Sequence, residues 1–257
     1  MILAIDVGNT NIVVGCVKDS ESLFVERLST DTRKTATEYA VLLRDVLNLH
    51  EIRREDIEGS ILSSVVPILN TVLADAMEKI LPGKPHMAVG PGLKTGLPIA
   101  IDNPAQLGAD LVVAAVAALA EQKGPMILID MGTATTLSAV DEKGVFRGVS
   151  IMPGVRVSMQ SLSSNAAQLT SIGLSAPKHA IGTNTADSMK SGVIFGAAGM
   201  LDGLIDRMQE ELGAPCTVIA TGGLARFVIP YCRHEIRFDD GLLLKGLKIL
   251  YDKNLTA

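Results

Sequence analysis

Ile5-Asp6-Val7-Gly8-Asn9-Thr10-Asn11 returns, altered, as Ile129-Asp130-Met131-Gly132-Thr133-Ala134-Thr135. Each copy is an apolar run with an Asp near its end, then a Gly, then small polar residues. The copies lie 124 residues apart in a chain of 257, so each opens about half of it. Repetition at that spacing predicts two similar halves, each presenting a tight turn to a polar ligand. A Gly-containing turn that bares backbone N–H groups suits phosphate. An Asp beside it can hold a metal ion on that phosphate. A plain Asn-rich hairpin turn would use some of the same residues. The second copy, where Thr133, Thr135 and Thr136 again supply hydroxyls beside Asp-x-Gly, favours phosphate.

The rest of the chain suits two modest domains. Hydrophobic residues make up 47% and charged residues 20%, which excludes a disordered chain. A net charge of -5 leaves no basic footprint, and with no Trp, three Tyr and five Phe there is little for bases to stack on, so nucleic acid is not expected as a partner. Cys16, Cys216 and Cys232 form no CxxC pair, and the four His are scattered, which predicts reduced structural thiols and no zinc site. The N-terminus lacks a basic region before its apolar stretch, and the uncharged run 111–120 is far shorter than the ~20 residues that span a bilayer. A cytoplasmic protein is expected, without membrane contact.

The first half reads as a hairpin of strands 2–7 and 12–18 with a third strand at 22–30. A helix over 36–49, a buried strand at 61–66 and a helix over 68–81 follow. Residues 82–104 hold five Pro and four Gly, which marks an ordered, substrate-facing loop with short extended pieces. A helix over 109–120 closes this half. The second half repeats the order: strands 126–130, 134–140 and 145–152, and a helix over 155–164. A long helical stretch over 183–211, broken near Gly196–Gly199, leads to strand 216–220, a short helix and a last helix at 240–251.

Thr221-Gly222-Gly223 follows an apolar strand and opens a helix, where bare backbone can meet a flat ligand such as adenosine. No Gly-Lys-Ser/Thr core occurs, and the prolines around Gly90-Pro91-Gly92 forbid the helix that a dinucleotide fingerprint needs.

These features resemble the acetate kinase, sugar kinase, Hsp70 and actin superfamily, and within it the type III pantothenate kinases. The resemblance runs nearly end to end. It rests on Asp6 to Asn11, Gly90-Pro91-Gly92, Asn103-Pro104, Gly108-Ala109-Asp110, Asp130 to Thr135, Pro153-Gly154, Gly182 with Asn184-Thr185, Ser191-Gly192 and Thr221-Gly222-Gly223. It implies an α/β protein of two duplicated ribonuclease H-like, actin-like ATPase domains (1–120 and 121–257). Each would carry a mixed sheet flanked by helices, with the active-site cleft between them. It implies ATP-dependent phosphorylation of pantothenate to 4'-phosphopantothenate, the first step towards coenzyme A, in a homodimer.

The resemblance also implies residue roles. Asp6, Val7, Gly8, Asn9, Thr10, Asn11, Ile12 and Val13 would hold the ATP phosphates, with Mg²⁺ on Asp6 through water. Thr133 would bind phosphate, and Gly222 and Gly223 the adenosine. Asp130 would hold K⁺ or NH₄⁺. Ile101, Gly108, Ala109, Asp110, Leu111 and Thr185 would border pantothenate, with Asp110 as the base on its hydroxyl. From its place in a helix's first turn, Asp110 is expected to stay ionised and therefore to be a weak base.

The chain departs from the family at Leu111, where Arg is usual, and at Ile101-Asp102, where an aromatic residue is usual. Both changes fall on the acceptor side. Arg156 is a candidate replacement cation. A kinase of the same fold acting on another small hydroxy acid, or a nucleotide-binding regulator without activity, stays open on these residues.

Overall fold

The computed structural model describes residues 1–19, 21–166, 169 and 172–255. In chain order its strands and helices are β1 Ile2–Val7, β2 Asn11–Lys18, β3 Glu21–Ser22, β4 Glu26–Ser29, α1 Ala36–Leu49, β5 Gly59–Ser64, α2 Pro67–Ile80, β6 His86–Ala88 and α3 Ala109–Glu121. Then come β7 Met126–Met131, β8 Ala134–Val140, β9 Phe146–Pro153, α4 Val155–Asn165, α5 Thr185–Leu212, β10 Thr217–Thr221, α6 Ala225–Val228, β11 Arg237–Phe238 and α7 Leu242–Leu255.

Packing divides the chain into two compact units. The first is Met1–Leu97 with Asp102–Gln122 and Gly241–Ala257; the second is Pro98–Ile101 with Lys123–Asp240. A division into two contiguous halves would place α7 in the second unit, but its apolar stripe packs on α3, β1, β2 and β5 of the first. Pro98–Ile101 joins the second unit because its backbone pairs with Phe146 on both sides: Phe146 N–H donates to Pro98 O at 2.9 Å and Ala100 N–H to Phe146 O at 2.9 Å.

In the first unit β1 runs antiparallel to β2 and parallel to β5, and β5 runs parallel to β6. In the second, β7 runs antiparallel to β8 and parallel to β10, and β10 runs parallel to β11. The two sheets thus share one strand order about their first strand, β3-β2-β1-β5-β6 and β9-β8-β7-β10-β11. The expected duplication is present in topology as well as in motif.

Alternation decides which face carries chemistry. Leu3, Ile5 and Val7 of β1 join α1 and α2 in one apolar cluster. Ala4 and Asp6 therefore face the other side, where α3 and α7 pack. Gly59, in register with Ile2, lies directly under the Tyr251 ring of α7 and marks the same face. In the second unit Ile127, Ile129 and Met131 pack with α5 and α6, which leaves Asp130 on the opposite face.

Helix α1 falls where its periodicity predicts, and Thr35 and Glu38 close it with a reciprocal capping box. Three readings change. The expected strand over 22–30 is two pieces, both paired with β2, because Phe24 turns inward and stacks on His50 with ring centroids 4.0 Å apart. Helix α5 runs its full 28 residues without a break at its glycines. Its ladder of backbone hydrogen bonds outweighs the roughly 1 kcal/mol that each interior Gly costs. Helix α3 buries every residue from Leu111 to Ala118 instead of one face, in keeping with the absence of charge over 111–120.

Candidate active site

The first turn hangs between β1 and β2. The register pairs Val7 with Ile12, so four residues, Gly8-Asn9-Thr10-Asn11, form the loop. Gly8 N–H donates to Asn11 O at 3.0 Å, and neither this Gly nor Gly132 adopts a left-handed backbone. Asn9, Thr10 and Asn11 are exposed, whereas Val7 and Ile12 bury their side chains in the core and can offer only backbone. Thr30 braces the turn: its hydroxyl donates to Gly8 O at 2.7 Å and its N–H to Thr10 O at 3.0 Å. Asp6 is only 7% exposed, and Val13 lies beside it on β2.

The second turn is one residue shorter. Met131 pairs with Thr135, leaving Gly132-Thr133-Ala134 as the loop, and Gly132 N–H donates to Ala134 O at 3.0 Å. Its brace is Gly154, whose N–H donates to Thr133 O at 3.0 Å. A Cβ on Gly154 would strike the Thr133 carbonyl oxygen and come within 2.5 Å of that of Gly132. The Pro153-Gly154 pair therefore serves as the floor of this turn.

Asp130 sits in register between Thr136 of β8 and Thr221 of β10. Gly222 has φ +93°, and a Cβ there would lie 2.6 Å from Asp130 Oδ1 and 2.7 Å from Met131 O. That absent side chain leaves a carboxylate and a backbone carbonyl at one place. Met131 N lies there too, at 2.7 Å, so the possible cation ligands are the two oxygens, which are hard donors that suit an alkali-type cation and not a soft metal. Among the described residues no three His, Cys, Asp or Glu gather as a metal-ligand group. The three cysteines are free, and burial pushes the Cys16 and Cys232 thiols up to about 12.

Asp110 opens α3, on the sheet face towards which Asp6 points. Its Oδ1 accepts from Leu111 N–H at 2.9 Å, and a Cβ on Gly108 would collide with that same oxygen. Burial pushes the Asp110 carboxyl above its ordinary range, opposed by backbone hydrogen bonds from Leu111 and from Asp110 itself. Desolvation thus prevails over the helix terminus, and Asp110 holds its proton more tightly than a helix N-terminus alone predicts.

The predicted residues divide between the units. Asp6 to Val13 and Gly108 to Leu111 belong to the first; Ile101, Asp130, Thr133, Thr185, Gly222 and Gly223 belong to the second. Leu111 is buried among the apolar residues of α3, while Arg156 is exposed in the first turn of α4. Thr185 begins α5, capped by Asn184, which accepts from Asp187 N–H at 2.9 Å. Sequence reasoning did not single out Thr30 or Ser63, and took Thr221 only as the start of the adenosine turn. The available signal was a hydroxyl residue inside or at the end of an otherwise apolar strand.

Known proteins agree with this architecture. Two solved structures match the fold across the whole chain. One is a Campylobacter jejuni protein described as a Baf family transcriptional activator (TM-score 0.62, 18% identity, 100% of both chains). The other is the activator of 2-hydroxyisocaproyl-CoA dehydratase from Clostridium difficile with bound ADPNP (TM-score 0.55, 14% identity, 100% of this chain and 97% of that one). The two mixed sheets with their helices form the actin-like ATPase fold. The family described as type III pantothenate kinase matches residues 2–207. The type III pantothenate kinase of Moorella thermoacetica is 42% identical over 254 residues, spanning 99% of this chain and 100% of the relative. That of Exiguobacterium sibiricum is 44% identical over 254 residues, with the same coverage. This chain belongs to the type III pantothenate kinase family.

Proposed function

We propose that the chain transfers the γ-phosphoryl group of ATP to the primary hydroxyl of pantothenate, giving 4'-phosphopantothenate, the entry to coenzyme A biosynthesis. The observation that carries this reading is the placement of Asp110. It is a desolvated carboxylate at the start of α3, on the face of the sheet that bears Asp6 at the end of β1.

Asp110 orients the alcohol and accepts its proton. Oδ1 is tied to Leu111 N–H, which leaves Oδ2 for the substrate hydroxyl. The raised proton affinity makes Asp110 a stronger base than an exposed Asp. Phosphoryl transfer has a loose transition state, so positioning and charge neutralisation carry most of the acceleration and the proton moves late. Gly8 to Asn11 hold the phosphates through their exposed side chains and the N–H groups that the turn itself does not use, with Thr133 as a second phosphate residue. Gly222 and Gly223 border the adenosine, although Gly222 is also needed for the approach to Asp130.

A single buried carboxylate suits Mg²⁺, which keeps most of its waters beside nucleotide phosphates, so Asp6 is the residue that would hold it. Beside Gly222, Asp130 Oδ1 and Met131 O are the oxygens that would hold K⁺ or NH₄⁺. When bound, these cations neutralise charge on the phosphates. Ile101, Gly108, Ala109, Leu111 and Thr185 border the acceptor, and a homodimer in the cytoplasm is the working form. Among the described residues no helix is long and apolar enough to cross a membrane.

The test is an ADP-release assay with ATP, Mg²⁺, K⁺ and pantothenate, the product identified by mass spectrometry, beside a panel of other small hydroxy acids. Turnover of pantothenate above the panel is expected. Faster turnover of another hydroxy acid would overturn the acceptor assignment, and no ADP release with any acceptor would overturn the kinase assignment.

A further inference from the structure

Ser63 is the last residue but one of β5 and is 0% exposed, yet its hydroxyl has no hydrogen-bond partner. The next residue fares differently. Ser64 Oγ accepts from Val66 N–H at 3.0 Å and donates to Val66 O at 3.2 Å, closing the turn into α2. A buried hydroxyl left unpaired is costly, and a purely structural position would be better filled by an apolar side chain. The register names its neighbour: Ser63 stands opposite Asp6 in the parallel pairing of β5 with β1. Both side chains leave the sheet on the face where α3 begins with Asp110. Neighbouring strands lie about 4.8 Å apart, so rotation about one side-chain bond brings Oγ towards the carboxylate without moving the backbone.

We propose that Ser63 is a positioning residue for Asp6, its hydroxyl donating to the carboxylate and setting its direction when the nucleotide's divalent cation is held there. This rests on the reading of Asp6 as the residue that holds that cation through water. The Ser63 donor occupies one lone pair of the carboxylate. The other oxygen is then turned towards the cation's water shell, the role that outer-shell hydrogen bonds serve at metal sites.

The test is a Mn²⁺ titration followed by electron paramagnetic resonance, with ADP present, on the intact chain and on Ser63→Ala, Ser63→Thr and Asp6→Asn. Ser63→Ala should weaken Mn²⁺ binding about 10-fold, the usual effect of removing an outer-shell partner. Ser63→Thr, which keeps the hydroxyl, should restore it. The melting temperature of ligand-free Ser63→Ala should equal or exceed that of the parent, because that hydroxyl has no partner to lose. The KM for the acceptor should not move. Unchanged Mn²⁺ affinity in Ser63→Ala, with Asp6→Asn strongly weakened, would overturn the role of Ser63 alone. Unchanged affinity in Asp6→Asn would overturn the reading of Asp6 and this proposal with it. A melting temperature that falls in step with Mn²⁺ affinity in both Ser63 variants would assign Ser63 to stability instead.

Discussion

The turn after Asp6 and the turn after Asp130 are copies with different constructions. The first has four residues in its loop and is braced by a side chain, Thr30; the second has three and is braced by backbone, Gly154. Asp6 has one hydroxyl neighbour in the sheet, Ser63, with Val13 on its other side, whereas Asp130 has Thr136 and Thr221 on both sides. The longer turn offers more N–H groups and exposed amides, which suits an anion. The shorter turn sets its Asp between two threonines, in keeping with the cation proposed there. One hairpin pattern is thus built in two ways, through a one-residue change in loop length and the identity of the flanking residues.

The largest test lies outside both turns and calibrates them. Asp110→Asn should lower kcat by about 10²–10⁴, the usual contribution of a general base, while ADP binding at the first turn persists. Its melting temperature at pH 7 should not fall, because the variant removes a desolvated charge. The sign follows from the raised carboxyl of the folded chain. The folded state binds this proton more tightly than the unfolded state does. Its contribution to stability is therefore full below the unfolded pKa and is lost as pH rises through the folded one. For the same reason the acid limb of kcat/KM, which reports the free enzyme, should lie above the ordinary carboxylate range, and Asp110→Asn should abolish that limb.

The second test separates the turns by charge. Asp130→Asn should raise the K⁺ concentration for half-maximal rate by roughly 100-fold, the upper end for loss of a group supporting a metal. Its dependence on Mg²⁺ should stay unchanged. The parent enzyme should be inactive in Na⁺ alone; full activity there would break the assignment of a cation to the second turn.

The third and fourth tests compare the braces. Gly154→Ala places a methyl group against two backbone carbonyls that cannot move independently, and chemical denaturation should reveal a loss of roughly 1–3 kcal/mol. Thr30→Val removes one hydrogen bond to Gly8 O and should cost about 1 kcal/mol, with a matching rise in KM for ATP. If Thr30→Val proved the more damaging, the first turn would depend on its brace more than the contacts imply.

Much of the site was legible before folding because its signals are local. Asp-x-Gly after an apolar run, the capped helix at Ala36–Leu49 and the Pro/Gly-rich stretch before Asn103 are patterns within a few residues. The unlegible parts depend on partners far along the chain. Ser63 reads as a strand residue and Thr221 as part of a glycine turn until register sets them beside Asp6 and Asp130, and a slip of one residue would turn them to the other face. The burial of Asp110 has the same origin: a helix N-terminus alone predicts a lowered carboxyl pKa, and only packing reverses it.

By itself, then, the sequence determined the duplication, the type of most elements and the residues able to carry phosphate chemistry, since these follow from short-range periodicity and residue type. Tertiary structure decided that α7 packs with the first unit, that the turns differ by one residue and that Asp110 is desolvated. Each of these is set by contacts between segments more than a hundred residues apart or by strand register, which no local pattern encodes.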